Sequence, residues 1–260
     1  IISYPFDGEF GNQGIYGYYN GKELGELWGY TSVGLAQSDE EMKEWLTSNK
    51  PNWGSKWQAG DVKYKDLTGE GEVTPGASTL ENHGDLKRIG NNSPRYRVGL
   101  NLDAAWKGID FSIFFQGVLK RDWMFDAGDP YFWGAGSGMW QAACFEEHMD
   151  YWTPENTDAY YPKPYFNETK NQQAQDAYMQ KASYLRCKNI QLGYTLPTHI
   201  TEKAGISNCR IYLSCDNLFT ITGLSSVYDP EVFGSYDGYG TSGKTYPLQR
   251  TISVGVNLNF

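Results

Sequence analysis

The sequence predicts an all-β chain built from long antiparallel strands, and three observations support that prediction. Aromatic residues make up 16% of the chain, 30 residues are glycine and only 20% are charged, a composition typical of β-rich proteins. Several stretches alternate between apolar and polar residues over most of their length. The connections between these stretches alternate between short and long. Such a pattern favours a sheet whose two faces meet different surroundings.

The charge and hydropathy of the chain exclude some classes of function. A formal net charge of -9 argues against a nucleic-acid partner, which needs clustered Lys and Arg. A mean hydropathy of -0.59, with no apolar run of about 18 residues, predicts that no helix spans a membrane. Membrane strands remain compatible with this composition, because they show lipid only every second residue.

The first ninety residues predict one strand and one helix. Residues 24–35 alternate as a strand with aromatic ends. Ser38 is placed to cap a short helix, with Glu41 as its capping-box partner three residues later. Met42, Trp45 and Leu46 then share one face of that helix.

The loop around Asp66 carries the most motif-like pattern in the chain. Asp66, Thr68 and Glu70, followed by Gly71, mimic the first half of a calcium-binding loop, in which alternate oxygens converge on the ion. The twelfth position is Ala77 rather than Glu. A tight Asx-type turn without an ion is therefore the favoured alternative, and no other cofactor is expected.

A long hairpin follows. Residues 95–106 and 109–116 both alternate, and the two-residue turn Lys107-Gly108 separates them. A third strand is predicted over 184–196, a fourth over 210–216 and a last one over 247–260. Because successive antiparallel strands put every second connection on the same side, both short turns are expected at one end of the sheet and both long loops at the other.

The last strand is the longest uninterrupted alternation. Its 14 residues exceed the about five or six of a usual globular strand and fit the about 9 to 11 that a tilted strand needs to cross a bilayer. Val254, Val256, Leu258 and Phe260 fall on its apolar face, and the chain stops on an aromatic. A terminal Phe after such alternation resembles the closing strand of bacterial outer-membrane barrels, and this resemblance implies that the four residues signal outer-membrane assembly.

The long loops hold the candidate ligand contacts. Aromatic rings there can stack on the apolar faces of sugars, although packing of the loops themselves is the alternative for any single ring. The candidates are Trp123, Tyr131, Trp133, Trp140, Tyr236 and Tyr239. Glu146, Glu147, His148 and Asp150 form the densest polar group, but no motif positions them for catalysis or metal binding, so a solvated loop is expected.

Several phrases in order resemble one family, the SusC/RagA-type TonB-dependent outer-membrane transporters of Bacteroidota. They include GELWGYTSVGL, GDVKYKDLTGEGEV, SPRYRVGLNLDAAWKGIDFSIFFQGV, DYWTPENTDAYYP, ASYLRCKNIQLGYTLP, RIYLSCDNLFTITGLSSVYDPE and YPLQRTISVGVNLNF. The resemblance implies an antiparallel transmembrane β-barrel of about 22 strands with a plug and long extracellular loops. The five or six strands predicted here are too few to close a barrel, so residues 1–260 are expected to be its C-terminal portion, without the plug and the earlier strands.

The resemblance also implies what the protein does. It implies import of a glycan or peptide without enzymatic activity, together with a SusD-type surface lipoprotein, in the outer membrane of a Gram-negative bacterium. TonB would act through the missing N-terminal part, and a dimer of transporter-lid pairs is expected. Two other functions stay open: a soluble carbohydrate-binding β-sandwich and a secreted glycoside hydrolase. The sandwich predicts solubility without detergent, and the hydrolase needs two carboxylates at a fixed separation.

Overall fold

The computed structural model describes residues 14–137, 143–233 and 245–260. Strands are the predominant regular secondary structure of the described residues. The strands are β1 (Glu26–Gly29), β2 (Ser32–Leu35), β3 (Lys50–Pro51), β4 (Val62–Tyr64), β5 (Glu72–Val73), β6 (Lys87–Asn91), β7 (Arg97–Trp106), β8 (Ile109–Val118), β9 (Asp122–Trp123), β10 (Gln180–Thr195), β11 (Asn208–Asp216), β12 (Thr220–Gly223) and β13 (Thr251–Asn259). The α-helices are α1 (Asp39–Trp45) and α2 (Thr198–Thr201).

These elements divide into two compact units. The sheet unit contains Pro94–Arg121, Lys181–Phe233 and Thr245–Phe260. The loop unit contains, among the described residues, 14–93, 122–137 and 143–180. Most of the first long connection, predicted to be a loop, therefore packs with the first ninety residues rather than extending by itself.

The sheet unit is an antiparallel meander. Its main strands follow the order β7, β8, β10, β11, β13, so neighbours in sequence are also neighbours in the sheet. The short strand β12 pairs with the N-terminal part of β10. The predicted hairpin is confirmed, because Trp106 faces Ile109 across Lys107 and Gly108. Both turn residues have positive φ, 47° and 87°, as a type I′ turn requires.

The connections of the sheet unit alternate as predicted. Two residues join β7 to β8, and residues 196–207, with helix α2, join β10 to β11. The other two connections, 119–179 and 217–250, are several times longer. An antiparallel meander with this spacing sorts its short and long connections to opposite ends of the strands.

The loop unit is built from short strand pairs around buried aromatic residues. β1 pairs with β6, β2 pairs with β4, and β3 pairs with β5 in parallel. At its centre Tyr64 is fully buried and meets Tyr30, Trp53 and Trp57 edge-on. The Tyr64 hydroxyl donates to the Lys170 carbonyl and accepts from the Gln175 side chain, so its buried polar atom is satisfied.

Helix α1 begins as predicted. The backbone N–H of Glu41 donates to the Ser38 hydroxyl at 3.1 Å, and the Glu41 carboxylate accepts from the N–H of Gln37. Met42 is the buried residue of this helix. Among the described residues, no helix has both the length and the apolar character to cross a membrane.

Several strand predictions differ from the structure. The single strand predicted over 24–35 is two strands, because Tyr30 turns away and hydrogen-bonds the backbone at Ala174 and Asp176. The third strand begins at Gln180 rather than 184, and the last strand begins at Thr251 rather than 247. The short strands β3, β4, β5, β6, β9 and β12 are absent from the sequence prediction. β12 has four residues, too few to show an alternation in the sequence.

Candidate functional site

One face of the sheet unit is apolar across all five main strands. Three rows of paired residues cross the sheet. They contain Leu102, Ile113, Ile190, Cys215 and Ile252; Ala104, Phe111, Leu192, Leu213 and Val254; and Trp106, Ile109, Tyr194, Ile211 and Val256. Many of these side chains are exposed, including Leu192 at 51% and Val254 at 75%. An exposed apolar surface of this extent marks an interaction with a partner or a membrane.

The opposite face of the same strands is polar. One row contains Asp103, Ser112, Gln191, Ser214 and Ser253. Beside it the Arg210 guanidinium donates to the Asp110 carboxylate, with Nε to Oδ2 at 2.8 Å, and to the Gln191 side chain at 2.9 Å. The Asn189 side chain donates to Asp216 at 2.8 Å. Asp103, Asp110 and Asp216 all lie on this polar face.

Glycines on the polar face leave room for larger neighbours. A Cβ on Gly193 would lie 2.5 Å from both Arg210 and Asp110. A Cβ on Gly255 would lie 2.3 Å from the ring of Tyr212. The Arg210 ion pair and the Tyr212 ring therefore both depend on a missing side chain on the adjacent strand.

The four residues predicted as an assembly signal lie on the apolar face or beyond its edge. Val254 pairs with Leu213, Val256 with Ile211 and Leu258 with Cys209. Phe260 follows the last residue of β13 and is 87% exposed. The placement of Val254, Val256 and Leu258 on the apolar face is confirmed. The role of all four residues in assembly stays a prediction.

The aromatic candidates of the first long connection lie in the loop unit. Trp133 is buried, its indole N–H donates to the Asp126 carbonyl at 3.0 Å, and its ring packs on Tyr178. Tyr131 is half-buried and stacks on Phe145, with ring centres 5.8 Å apart. Trp123 is half-buried in β9. Trp140, Tyr236 and Tyr239 lie outside the described residues.

Trp133 forms part of a pocket of about 290 Å³ within the loop unit, here called the aromatic pocket. Its wall is mainly aromatic and proline side chains: Trp133, His148, Tyr151, Tyr161, Pro162, Pro164 and Tyr165. Burial raises the pKa of the Tyr161 and Tyr165 hydroxyls. Five wall residues come from the stretch Tyr-Pro-Lys-Pro-Tyr, 161–165, which the sequence analysis does not single out although its aromatic and proline residues offer a signal.

His148 supplies a buried polar atom to the aromatic pocket. Its Nδ1 accepts the backbone N–H of Phe145 at 3.1 Å, which in the neutral ring places the proton on Nε2. That Nε2 is buried and has no hydrogen-bond partner within the described chain. The amides of Asn171 and Gln172, also in the wall, are both satisfied by protein partners. The wall of the aromatic pocket thus combines flat rings with the polar side chains of His148, Asn171 and Gln172.

The polar group around His148 is not assembled as one site. Glu146 to Met149 form a single 3-10 turn in which His148 is the buried residue. The Asp150 carboxylate accepts from Asn156 and from the backbone of Tyr160, at 3.1 Å each. No group of three His, Cys, Asp or Glu residues within the described ranges is arranged to hold a metal ion.

The Asp66 loop is folded around its own carboxylate. Asp66 accepts the backbone N–H groups of Thr68, Gly69 and Gly71 and the Thr68 hydroxyl. Burial raises the pKa of the Asp66 carboxyl, but these hydrogen bonds lower it by more, so the pKa lies below its ordinary value. Asp85, fully buried, accepts further N–H groups of the same loop. This is the geometry of an Asx turn, and the calcium hypothesis for Asp66, Thr68 and Glu70 stays a prediction.

The sheet unit is a long antiparallel meander with one exposed apolar face and one polar face. The chain is therefore an all-β protein whose sheet contacts an apolar phase or a partner. Comparison with known proteins gives the particular relationship. No family model matches the chain. TonB-dependent receptor P3 of Formosa agariphila is 28% identical over 247 residues, which cover 92% of this chain and 22% of the receptor. TonB-dependent receptor P26 of the same organism is 26% identical over 209 residues, covering 77% and 20%.

Solved structures agree with these relatives. The RagAB peptide transporter matches with a TM-score of 0.61 at 22% identity, over 93% of this chain and 23% of that chain. The RagAB peptide importer in its closed-closed state matches with a TM-score of 0.60 at 20% identity, covering 93% and 24%. At this identity the likeness establishes the fold. The resemblance to SusC/RagA-type TonB-dependent transporters is thus confirmed by relatives whose names describe receptors and a transporter. The chain spans about a fifth of the length of these curated relatives.

Proposed function

We propose that this chain is part of a TonB-dependent importer in the outer membrane, which takes up glycan or peptide together with a SusD-type surface lipoprotein. The observation that carries the proposal is the apolar face, exposed on all five main strands and backed by a polar face. Residues such as Leu192 and Val254 would be covered by lipid in this arrangement. The similarity to TonB-dependent receptors over 92% of the chain supports it.

The sheet unit would form part of the wall of a barrel. Strands β7, β8, β11 and β13 have 9 or 10 residues each, close to the about 9 to 11 that cross a bilayer when tilted. Within the described sheet, β7 and β13 each have one edge without a partner strand. Open edges are not viable in lipid, so further strands would pair with both edges and close the barrel.

The polar face would line the interior of that barrel. The ion pair of Arg210 with Asp110 and the hydrogen bond of Asn189 with Asp216 lie there, and their charges remain in contact with water. In this position the two polar pairs would influence which solutes pass through the barrel, rather than the stability of the protein in lipid.

The loop unit would lie outside the membrane and contact substrate or the lipoprotein. Its aromatic pocket offers flat rings and the unpartnered Nε2 of His148, which suit a sugar ring or an apolar side chain beside a carbonyl or hydroxyl oxygen. TonB would act through a part of the protein outside this chain, and the importer would form a dimer of transporter-lid pairs.

Import is tested by deleting the gene in the native host and measuring growth on single nutrient classes. We expect growth to fail on one glycan or peptide source and to return with the wild-type gene, but not with a copy lacking residues 247–260. Unchanged growth and uptake on every source that the host uses would contradict the proposed function.

A further inference from the structure

A second pocket, of about 640 Å³, lies within the sheet unit beside the start of β7 and the end of β8. It is here called the arginine pocket, because two guanidinium groups line it. Its lining includes Arg97, Gln116, Arg121, Tyr184, Pro230 and Glu231. Arg97 pairs in register with Val118 and has the same parity as Asp103, which places it on the polar face of the sheet.

Both guanidinium groups line the same pocket. The Arg121 guanidinium carbon lies 4.8 Å from the centre of the Phe233 ring, which fixes it over an aromatic wall. Burial lowers the pKa of Arg121, Tyr184 acts in the opposite direction, and the charge of Arg97 lowers it again. Placing two like charges in one pocket is unfavourable unless an anion shares them.

The carboxylates at this pocket are already engaged by other cations. Glu231 accepts from Arg186 at 2.5 Å and from Lys188 at 3.1 Å. Asp229 accepts from Arg186 at 2.8 Å and from the backbone N–H of Leu248 at 3.0 Å. No ion pair joins Arg97 to a carboxylate of the described chain.

The balance of charge here is opposite to that of the whole chain. Among the residues that the structure describes, this cluster brings together four cations and two carboxylates: Arg97, Arg121, Arg186 and Lys188 with Asp229 and Glu231. The chain as a whole carries a net charge of -9. A local positive site on a negative protein concentrates anions at that point.

We infer that the arginine pocket binds a carboxylate group of an incoming ligand, with Arg97 and Arg121 as its partners. A guanidinium presents parallel N–H donors that match the two oxygens of a carboxylate. Gln116, which also lines the pocket, adds a polar wall beside them. The carboxylate can belong to the C-terminus of a peptide or to a uronic acid. That this ligand is then transported rests on the proposed function, but its binding does not.

The test uses the whole protein, purified from outer membranes in detergent, and isothermal titration calorimetry. Two matched probe pairs separate the sources: N-acetyl-tetraalanine as free acid and as C-terminal amide, and trigalacturonic acid and its methyl ester. The variants are Arg97→Gln, Arg97→Lys and Arg121→Gln. Arg250→Gln, which removes an exposed arginine of the same unit outside the pocket, is the control.

We expect one free acid to bind about tenfold or more tightly than its neutral partner, because hydrogen bonds to a charged group are stronger than neutral ones. Arg97→Gln should lower the affinity for that acid about tenfold and leave the neutral probe unchanged. The affinity of Arg97→Lys for the acid should lie between those of wild type and Arg97→Gln. The affinity of Arg250→Gln should match that of wild type. A peptide acid or a uronate as the preferred probe identifies the source.

Equal binding of both acids and their neutral partners would overturn the inference. So would an Arg97→Gln variant that keeps the full preference for the acid, whatever Arg121→Gln does to folding. Nutrient uptake measured in the same strains separates this outcome from failure of the proposed function. Uptake without any acid preference rejects the arginine pocket alone, whereas acid preference without uptake rejects import alone.

Discussion

Arginine in place of Val254 should destabilise the protein in lipid far more than arginine one residue earlier. Val254 is the fourth of the nine residues of β13, is 75% exposed and lies in an apolar row beside Leu213 and Leu192. If that row faces lipid, Val254→Arg places a cation near the middle of the bilayer. The expected cost is about 2–4 kcal/mol.

The neighbouring residue provides a matched control. Ser253 belongs to the same strand, is also exposed, and lies on the polar face opposite Ser214. Ser253→Arg adds the same side chain at nearly the same depth, but toward the polar face, and should cost little. A difference of 2–4 kcal/mol between the two variants corresponds to roughly 30- to 1,000-fold in the folding equilibrium.

Urea titration of folding into lipid vesicles measures this difference, with heat-modifiable gel mobility as the readout. Ile252→Arg and Leu258→Arg, on the same face nearer the ends of β13, should cost less than Val254→Arg because they lie closer to the headgroups. Equal midpoints for Val254→Arg and Ser253→Arg would refute the assignment of the apolar face to lipid. A cost that is uniform along the strand would refute its membrane-spanning orientation.

Three further predictions concern the last residue, the aromatic pocket and the Asp66 loop. Phe260→Ala should abolish outer-membrane assembly while Asn257→Ala is tolerated; surface levels measured by immunoblot decide, and a normal level for Phe260→Ala would contradict its signalling role. Trp133→Ala should destabilise the loop unit by about 3–5 kcal/mol, because a buried ring is lost, and should expose 119–179 to proteases. Tyr131 is only half-buried, so Tyr131→Ala should leave protease cleavage unchanged. Equal cleavage of both variants would count against the buried placement of Trp133. The lowered pKa of Asp66 means that its stabilising contribution is present above its ordinary pKa of 3.8 and is lost as the pH falls through the lower folded value. Amide exchange at Gly69 and Gly71 should accelerate over that range, and slower exchange on adding calcium at neutral pH would instead favour the ion-binding alternative.

The sheet unit could be predicted from the sequence because its signals are local. Alternation of period two places Val254 and Ser253 on opposite faces whatever the partners are, and Lys107-Gly108 fixes the register of β7 and β8. The helix cap at Ser38 and Glu41 is equally local. These features depend on residues within a few positions of each other.

The loop unit could be predicted only in part, because its contacts join distant segments. Tyr30 leaves its strand to bond Ala174, some 140 residues away, and no local pattern indicates such a break. Trp133 was a candidate for ligand contact, yet only the packing of Tyr178 and Tyr161 against it shows that it is buried. Arg97 and Arg121 meet in one pocket because a hairpin brings them together, whereas in the sequence they are separated by 24 positions.

Isolation of the native protein tests the central claim most directly. Membranes of the native host are fractionated, the protein is extracted in detergent, and its intact mass and co-purifying proteins are determined by mass spectrometry. The account predicts an outer-membrane protein that needs detergent and carries a bound surface lipoprotein. A detergent-free species without a partner would contradict it, because the exposed apolar face around Val254 and Leu192 would then have to be covered by the chain itself.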